Sequence, residues 1–335
     1  MPDGSFLLIA ALVVVLAAEF VNGWTDAPNA IATVVSTRVL SPSQAVLMAA
    51  VLNVVGAVVT GTAVASTIGT GIVKPEVISG SEGLPVVIAA ALTVVIWSTV
   101  TWFYGIPTSE SHELVAGLAG AGLAVAGPSV LLWAGWQKVL VGLGFSTVLG
   151  FSLGAVIMTG LYWILRRARP SFVRSVFNRL EILSAAFLAF SHGSNDGQKF
   201  MGIFALALVL GGKMAHFAVP LWVMLLCGGV MGIGTALGGW RIIRTVGFKI
   251  TKLESVHGFA ATSSSAIAIL LASRFGIPLS TTHCIGTSIM GVGVTKRFSA
   301  VRWGVARSIV MTWIITFPVC AALGWIIASL LKIAF

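Results

Sequence analysis

Charge is what this chain has least of. Only 9% of its 335 residues are Asp, Glu, Lys or Arg, and ten of those are acidic. A soluble domain carries roughly 25%, so a body folded in water is excluded and an integral membrane protein is left. Cysteine is nearly absent as well. Cys227, Cys284 and Cys320 are odd in number and have no metal-ligand spacing, which excludes a disulfide framework and a zinc site. There is no concentrated basic patch. The formal net charge of +10 is spread over short loops between apolar runs, a pattern that orients a membrane protein rather than binding nucleic acid. The start, Met1-Pro2-Asp3-Gly4-Ser5, has no basic n-region and no cleavage signal follows, so the first helix is expected to stay in the mature protein. No nucleophile–base pair and no metal cluster stands out, so neither enzyme chemistry nor a resident cofactor is expected.

What is present is a duplication. The apolar run from about Phe6 to Val35 is interrupted by Asn22-Gly23-Trp24-Thr25-Asp26-Ala27-Pro28-Asn29, and the interruption recurs as His192-Gly193-Ser194-Asn195-Asp196-Gly197-Gln198-Lys199. Asp26 aligns with Asp196 and Asn29 with Lys199, both 170 residues apart. A second pair, Gly105-Ile106-Pro107-Thr108-Ser109-Glu110-Ser111-His112 and Gly276-Ile277-Pro278-Leu279-Ser280-Thr281-Thr282-His283, repeats at 171 residues. Two motifs recurring in one order predict two related halves, each with a broken helix and a Gly-Ile-Pro-x-Ser-x-x-His tip.

The apolar runs give the boundaries. A first repeat covers 1–165, with crossings at 6–38, 42–71 and 131–165 and two shorter arms, 84–103 and 108–127, around the first tip. A basic linker, 166–180, contains five arginines. A second repeat, 181–335, has a broken helix at 181–211, a crossing at 214–238, arms at 257–275 and 279–295, and a last run to 333. Placing 166–180 in the cytoplasm also puts Arg38, 239–256 and 296–302 there, and leaves the acidic loop 72–83 and the N-terminus outside. Repeat one then starts outside and repeat two inside, so the expected fold is all-α and polytopic, with two inverted-topology repeats. The tips are expected to be re-entrant helical hairpins, because a Ser/His turn needs protein or water around it.

Inverted repeats with discontinuous helices are the architecture of secondary transporters, with the site near the midplane. Charges at that depth usually face a cavity or a partner, which singles out Asp26 and Asp196 over a helix-capping role. The tips add Thr108, Ser109 and Ser111, then Ser280, Thr281 and Thr282. Proline suits a first helical turn, and the hydroxyls would stand beside free N–H groups at the positive end of the helix dipole, a neutral cradle for a tetrahedral oxyanion. Carboxylates repel an anion, so they make sense if they hold a co-transported cation or proton, or if the oxyanion arrives protonated or metal-paired. Lys199 either contacts the anion or pairs with Asp196. His192 and His257 read as helix-end hydrogen-bonders, while His112 and His283 gain interest through their matched positions. Glu19, Glu110 and Glu113 lie at awkward depths, and Arg274 either attracts anions or snorkels to an interface.

At these residues the chain resembles the PiT family of inorganic phosphate transporters, of the short bacterial type. The likeness spans Asn22-Gly-x-x-Asp26-Ala-x-Asn29 with the following Ile31–Leu40, His192–Lys199, the loop Gly239–Leu253 and Gly276–His283. It implies a multi-pass protein of the bacterial inner membrane that imports inorganic phosphate by symport with a cation, in alternating access and as a homodimer. By the same resemblance the substrate is held by Asn29, Ser109, Ser111, Asn195, Lys199, Ser280, Thr281 and Thr282. Asp26, Asp196, His112 and His283 serve the coupling cation, a proton, sodium or a metal–phosphate pair. Thr262 stands where many members carry Glu, which weakens sodium coupling. Glu110 replaces a hydroxyl residue in the first tip, which keeps a sulfate permease on the same scaffold as the alternative, with an anion channel behind it.

Overall fold

A computed structural model describes residues 4–78, 80 and 82–334. Among them the chain is helical, with one isolated bridge, Val73 to Leu131, as its only β pairing. The first half holds α1 (Gly4–Thr25), α2 (Pro28–Ser36), α3 (Pro42–Val59), α4 (Ala63–Gly71), α5 (Gly83–Tyr104), α6 (Glu110–Ala126) and α7 (Trp133–Leu165). The second holds α8 (Pro170–His192), α9 (Gln198–Leu210), α10 (Leu221–Ala236), α11 (Trp240–Arg244), α12 (Ser255–Arg274), α13 (Thr281–Lys296) and α14 (Trp303–Ala334). Six stretches are long and apolar enough to cross a membrane, and α10 with the segment after it forms a further candidate bent by 61°. Helices dominate because a backbone in hydrocarbon has no water to bond and must satisfy its own polar groups. In the long helices α7 and α14 only 22% of the most apolar window is buried, and side chains such as Phe145, Trp163, Ile314 and Leu330 are left exposed to face lipid.

The two interruptions differ in form. After α1 the chain makes a two-residue turn at Asp26-Ala27, and Pro28, which has no N–H to continue the ladder, starts α2. The second interruption is not unwound. Gly193–Gly197 is a single π-helical turn between α8 and α9, a local widening that often marks functional sites. The expected linker is also shorter than 166–180. Pro170 occupies the first turn of α8, so only 166–169 lie outside helix, and Arg174 and Arg179 ride on that helix's exposed face.

Each tip is a helical hairpin. Gly105 and Gly276 adopt left-handed backbone (φ 67° and 65°) just after α5 and α12, the conformation glycine tolerates best. The prolines then sit in an extended stretch, not in the first helical turn. The caps of α6 and α13 are Ser109 and Ser280, two residues beyond Pro107 and Pro278. α5 packs on α6 and α12 on α13, but each outgoing arm also packs on the other half's long helix, α6 on α14 and α13 on α7. The halves are interleaved and not side by side.

That interleaving relies on glycine. A Cβ on Gly120 would run into the backbone of Ala321, and one on Gly324 into that of Gly117, so α6 and α14 touch backbone to backbone in the way small residues permit in membranes. Gly120→Leu is expected to cost about 1–3 kcal/mol through overpacking. Gly160→Ala, where an added Cβ meets nothing within 4 Å, should be neutral. Thermal unfolding of the purified variants in detergent checks both.

Candidate functional site

The interrupted helices and both tips meet in the buried interior. Asp26 and Asp196 are 3% and 0% exposed, and Thr281, on the second tip, lies 3.1 Å from the Oδ2 atom of each. One hydroxyl therefore bridges two carboxylates, donating to one at a time. His192, one helical turn before Asp196, faces the same point, with its Nε2 at 3.6 Å from Asp196 Oδ2 and 4.0 Å from Asp26 Oδ2. Asp26, His192 and Asp196 each offer a ligand atom, all within 4.8 Å of one another. Two carboxylates and an imidazole at such spacing suit a small cation.

The Oδ1 atoms turn outward to separate partners. Asp26 Oδ1 accepts from Asn29 Nδ2 at 2.5 Å and from the Thr282 hydroxyl, and Asn29 Nδ2 also reaches Thr282 Oγ1 at 3.0 Å. Asp196 Oδ1 accepts from Lys199 Nζ at 2.7 Å. The same ammonium donates to Ser111 Oγ at 2.5 Å and to the Leu279 carbonyl at 3.0 Å, while Ser111 donates to that carbonyl at 2.8 Å. Lys199 is fully buried. A buried charge is tolerated only when paired and hydrogen-bonded, and the ammonium's three hydrogens are all used.

The remaining predicted residues fall around this centre. Asn195 donates to Ser273 Oγ at 2.9 Å and has a buried, unpartnered Oδ1. Ser280 caps α13, its Oγ accepting the His283 N–H at 3.1 Å, while the matching Ser109 Oγ is buried without a partner. Glu110 accepts the Thr25 hydroxyl, so the first tip presents a carboxylate where the second presents Thr281. His112 and His283 pair with each other, ring centroids 4.6 Å apart, and His283 stacks on Trp313 at 3.7 Å. Among the described residues no hydrogen bond or ion pair joins either to the aspartates. The histidine at the carboxylates is His192, and its signal was its spacing of four residues from Asp196, which puts both on one helical face. Thr262 bonds Ser184 at 2.6 Å, and the buried Glu181 lies against Gly258, one turn away, so a carboxylate from α8 occupies this neighbourhood.

A cavity of about 890 Å³ opens at the end of α2, lined by Arg38, Arg174, Lys252, Glu254 and Arg302 among others. Its cations come from four separate segments, Arg174 on α8 and the others in loops, that charge bias places on one side. Across the protein, Lys332 pairs with Glu82 at 3.1 Å, which puts the end of α14 beside the acidic loop. From Asn29 to Ser36, beside the basic cavity, is seven helical residues, ~10 Å of rise.

Residues 22–324 match the model of the phosphate transporter family, a span that includes both interruptions, both tips and every residue placed around the two aspartates. The chain belongs to the phosphate transporter family. It is 43% identical to a Rhizobium meliloti (strain 1021) protein named "Probable low-affinity inorganic phosphate transporter", over 95% of this chain and 94% of that one. A Bacillus subtilis (strain 168) protein of the same name is 40% identical over 98% and 99% of the two chains. A solved structure titled "The sodium-dependent phosphate transporter" superposes with a TM-score of 0.91 at 26% identity, covering 98% of this chain and all of that one. This member of the family is thus a multi-pass membrane protein whose two Asp-bearing interruptions and two hydroxyl-bearing tips form one cluster.

Thr281→Val tests the centre of that cluster. Removing the bridging donor leaves two buried carboxylates facing one another, at about 1–3 kcal/mol for the lost hydrogen bonds. The variant is expected to melt at lower temperature than wild type by differential scanning fluorimetry, and to regain stability when Asp26→Asn is added.

Proposed function

We propose that the chain imports inorganic phosphate across the bacterial inner membrane by cation-coupled symport with alternating access. The observation that carries this reading is the buried meeting of Asp26 and Asp196 with the Thr281 and Thr282 hydroxyls, where two interrupted helices touch a helical tip. Family membership and the sodium-dependent relative support it. In this reading Asp26 holds the coupling cation, beside Asp196 and His192, and the tips bring hydroxyls and helix N-termini to the oxyanion.

The donor set favours phosphate over sulfate. At neutral pH phosphate retains at least one proton and can donate a hydrogen bond to a carboxylate as well as accept from Ser and Thr. Sulfate can only accept. A site built to accept from a substrate hydroxyl rejects the analogue that lacks it by large factors, because the buried acceptor is left unpaired. The acidic cluster therefore serves as a filter for a protonated oxyanion, while the basic cavity draws the anion's charge toward the cytoplasmic mouth. Burial of the whole cluster fits a carrier held closed around its site and not a continuous pore.

Labelled phosphate uptake into proteoliposomes, with sodium and proton gradients imposed separately, tests the coupling. Uptake against a phosphate gradient is expected with one of them, little affected by excess sulfate, and lost in Asp26→Asn. Equal competition by sulfate, or flux that ignores both gradients, contradicts the reading.

A further inference from the structure

The two halves build the same contact set twice, with one substitution. Positions 26 and 196, and 29 and 199, correspond through the 170-residue repeat; positions 111 and 282 correspond through the 171-residue repeat. In the first set, Asp26 Oδ1 accepts from the side chain three residues on, Asn29, and that side chain also bonds Thr282 of the opposite tip. In the second, Asp196 Oδ1 accepts from the side chain three residues on, Lys199, and that side chain also bonds Ser111 of the opposite tip. Carboxylate, i+3 partner and opposite-tip hydroxyl recur in matched positions. What changes is a neutral amide for an ammonium.

The ammonium has the surroundings of a bound cation. Its three neighbours are a carboxylate oxygen, a hydroxyl oxygen and the Leu279 carbonyl oxygen, the hard oxygen donors that alkali and alkaline-earth ions take. No ammonium hydrogen is left over for an anion. At the first set the amide leaves something unfilled. Asn29 Oδ1 is buried, 2% exposed for the residue as a whole, and has no partner, although an acceptor in that position normally finds a donor or an ion.

We propose that the Lys199 ammonium is a tethered cation that permanently fills the second half's cation place, so that a mobile monovalent cation is taken up only at Asp26, Asn29 and Thr282. Lys199 is then a residue that sets coupling stoichiometry. It neutralises Asp196 throughout the cycle, because it cannot leave. The inference rests on the cation-coupled reading above and adds a number to it: one exchangeable cation place where the duplicated architecture would otherwise supply two.

The test is the zero-flux potential of phosphate transport in proteoliposomes, which counts coupled charge per phosphate whichever cation carries it, combined with the sodium and proton dependence of uptake. Lys199→Asn restores the first half's chemistry in the second, and Lys199→Gln does so with a longer side chain. Each is expected to gain one coupled cation per phosphate, with the Hill coefficient for that cation rising because a site has been added. The exchange variant Asn29→Lys with Lys199→Asn is expected to return to the wild-type ratio. An unchanged ratio in a transporting Lys199→Asn or Lys199→Gln protein overturns the tethered cation while leaving coupled transport intact. A wild-type protein with no cation dependence removes the coupled reading itself. If neither single variant folds, wild-type thermal stability decides, titrated with sodium against choline and with protons at constant ionic strength. Single-site saturation is expected, and cooperative two-site saturation overturns the proposal.

Discussion

Two carboxylates buried within a few ångströms of each other are the constraint around which the rest of this protein is arranged. Unpaired, each would carry a desolvation penalty of several kcal/mol. Here Asp26 is met by Asn29, Thr281 and Thr282, and Asp196 by Lys199, Thr281 and His192. Those partners come from four helices, α2, α8, α9 and α13, and Lys199 reaches Ser111 of the first tip, so the site can exist only if both interruptions and both tips arrive together. The interleaved packing of α6 on α14 and α13 on α7, with glycines letting backbones touch, holds the tips there. The site is therefore built between the repeated elements and not within either set.

Much of this was legible in the sequence because polar residues inside hydrocarbon-length apolar runs are costly and hence conspicuous. Asp26, Asp196 and the hydroxyls of the second tip were found in that way. The turns at Gly105 and Gly276 followed from local chemistry. What one-dimensional reading could not supply was the partner of each polar group. His192 read as a helix-end hydrogen-bonder, and it does end α8 with its Nδ1 3.3 Å from Asn53 Oδ1; what was hidden is that its Nε2 faces two carboxylates 4 and 166 residues away. His112 and His283 looked like members of the charged site because they were matched, but matching also arises when two repeated residues pack on each other, as their edge-to-face rings do. Lys199 was ambiguous between anion and aspartate, and only the positions of Ser111 and the Leu279 carbonyl decide which atoms it touches.

The form of the interruptions was also hidden. A proline marks the first, so a break in the ladder follows from covalent structure. The second has glycines and no proline, and a π turn re-aims Asp196 while keeping the helix continuous. Likewise the arginines of 166–180 read as a loop, although Pro170 is a good helix starter and the buried face of Phe177, Glu181, Ser184 and Leu188 has helical spacing. Charge density and helix formation are independent, and a basic stretch can carry an orientation signal on the outer face of a helix.

The repeated halves are alike in layout and unlike in charge: Asn29 against Lys199, Glu110 against Thr281. A transporter built from two copies of one motif needs such differences if one carboxylate is to exchange its cation while the other stays neutralised. The most direct measurement is a structure of the protein bound to arsenate, a phosphate analogue whose anomalous scattering locates it without ambiguity. The account predicts one strong peak within hydrogen-bond reach of the second tip's hydroxyls and the Asp26–Asp196 pair. A peak confined to the basic cavity at the end of α2, with none at the carboxylates, would contradict it.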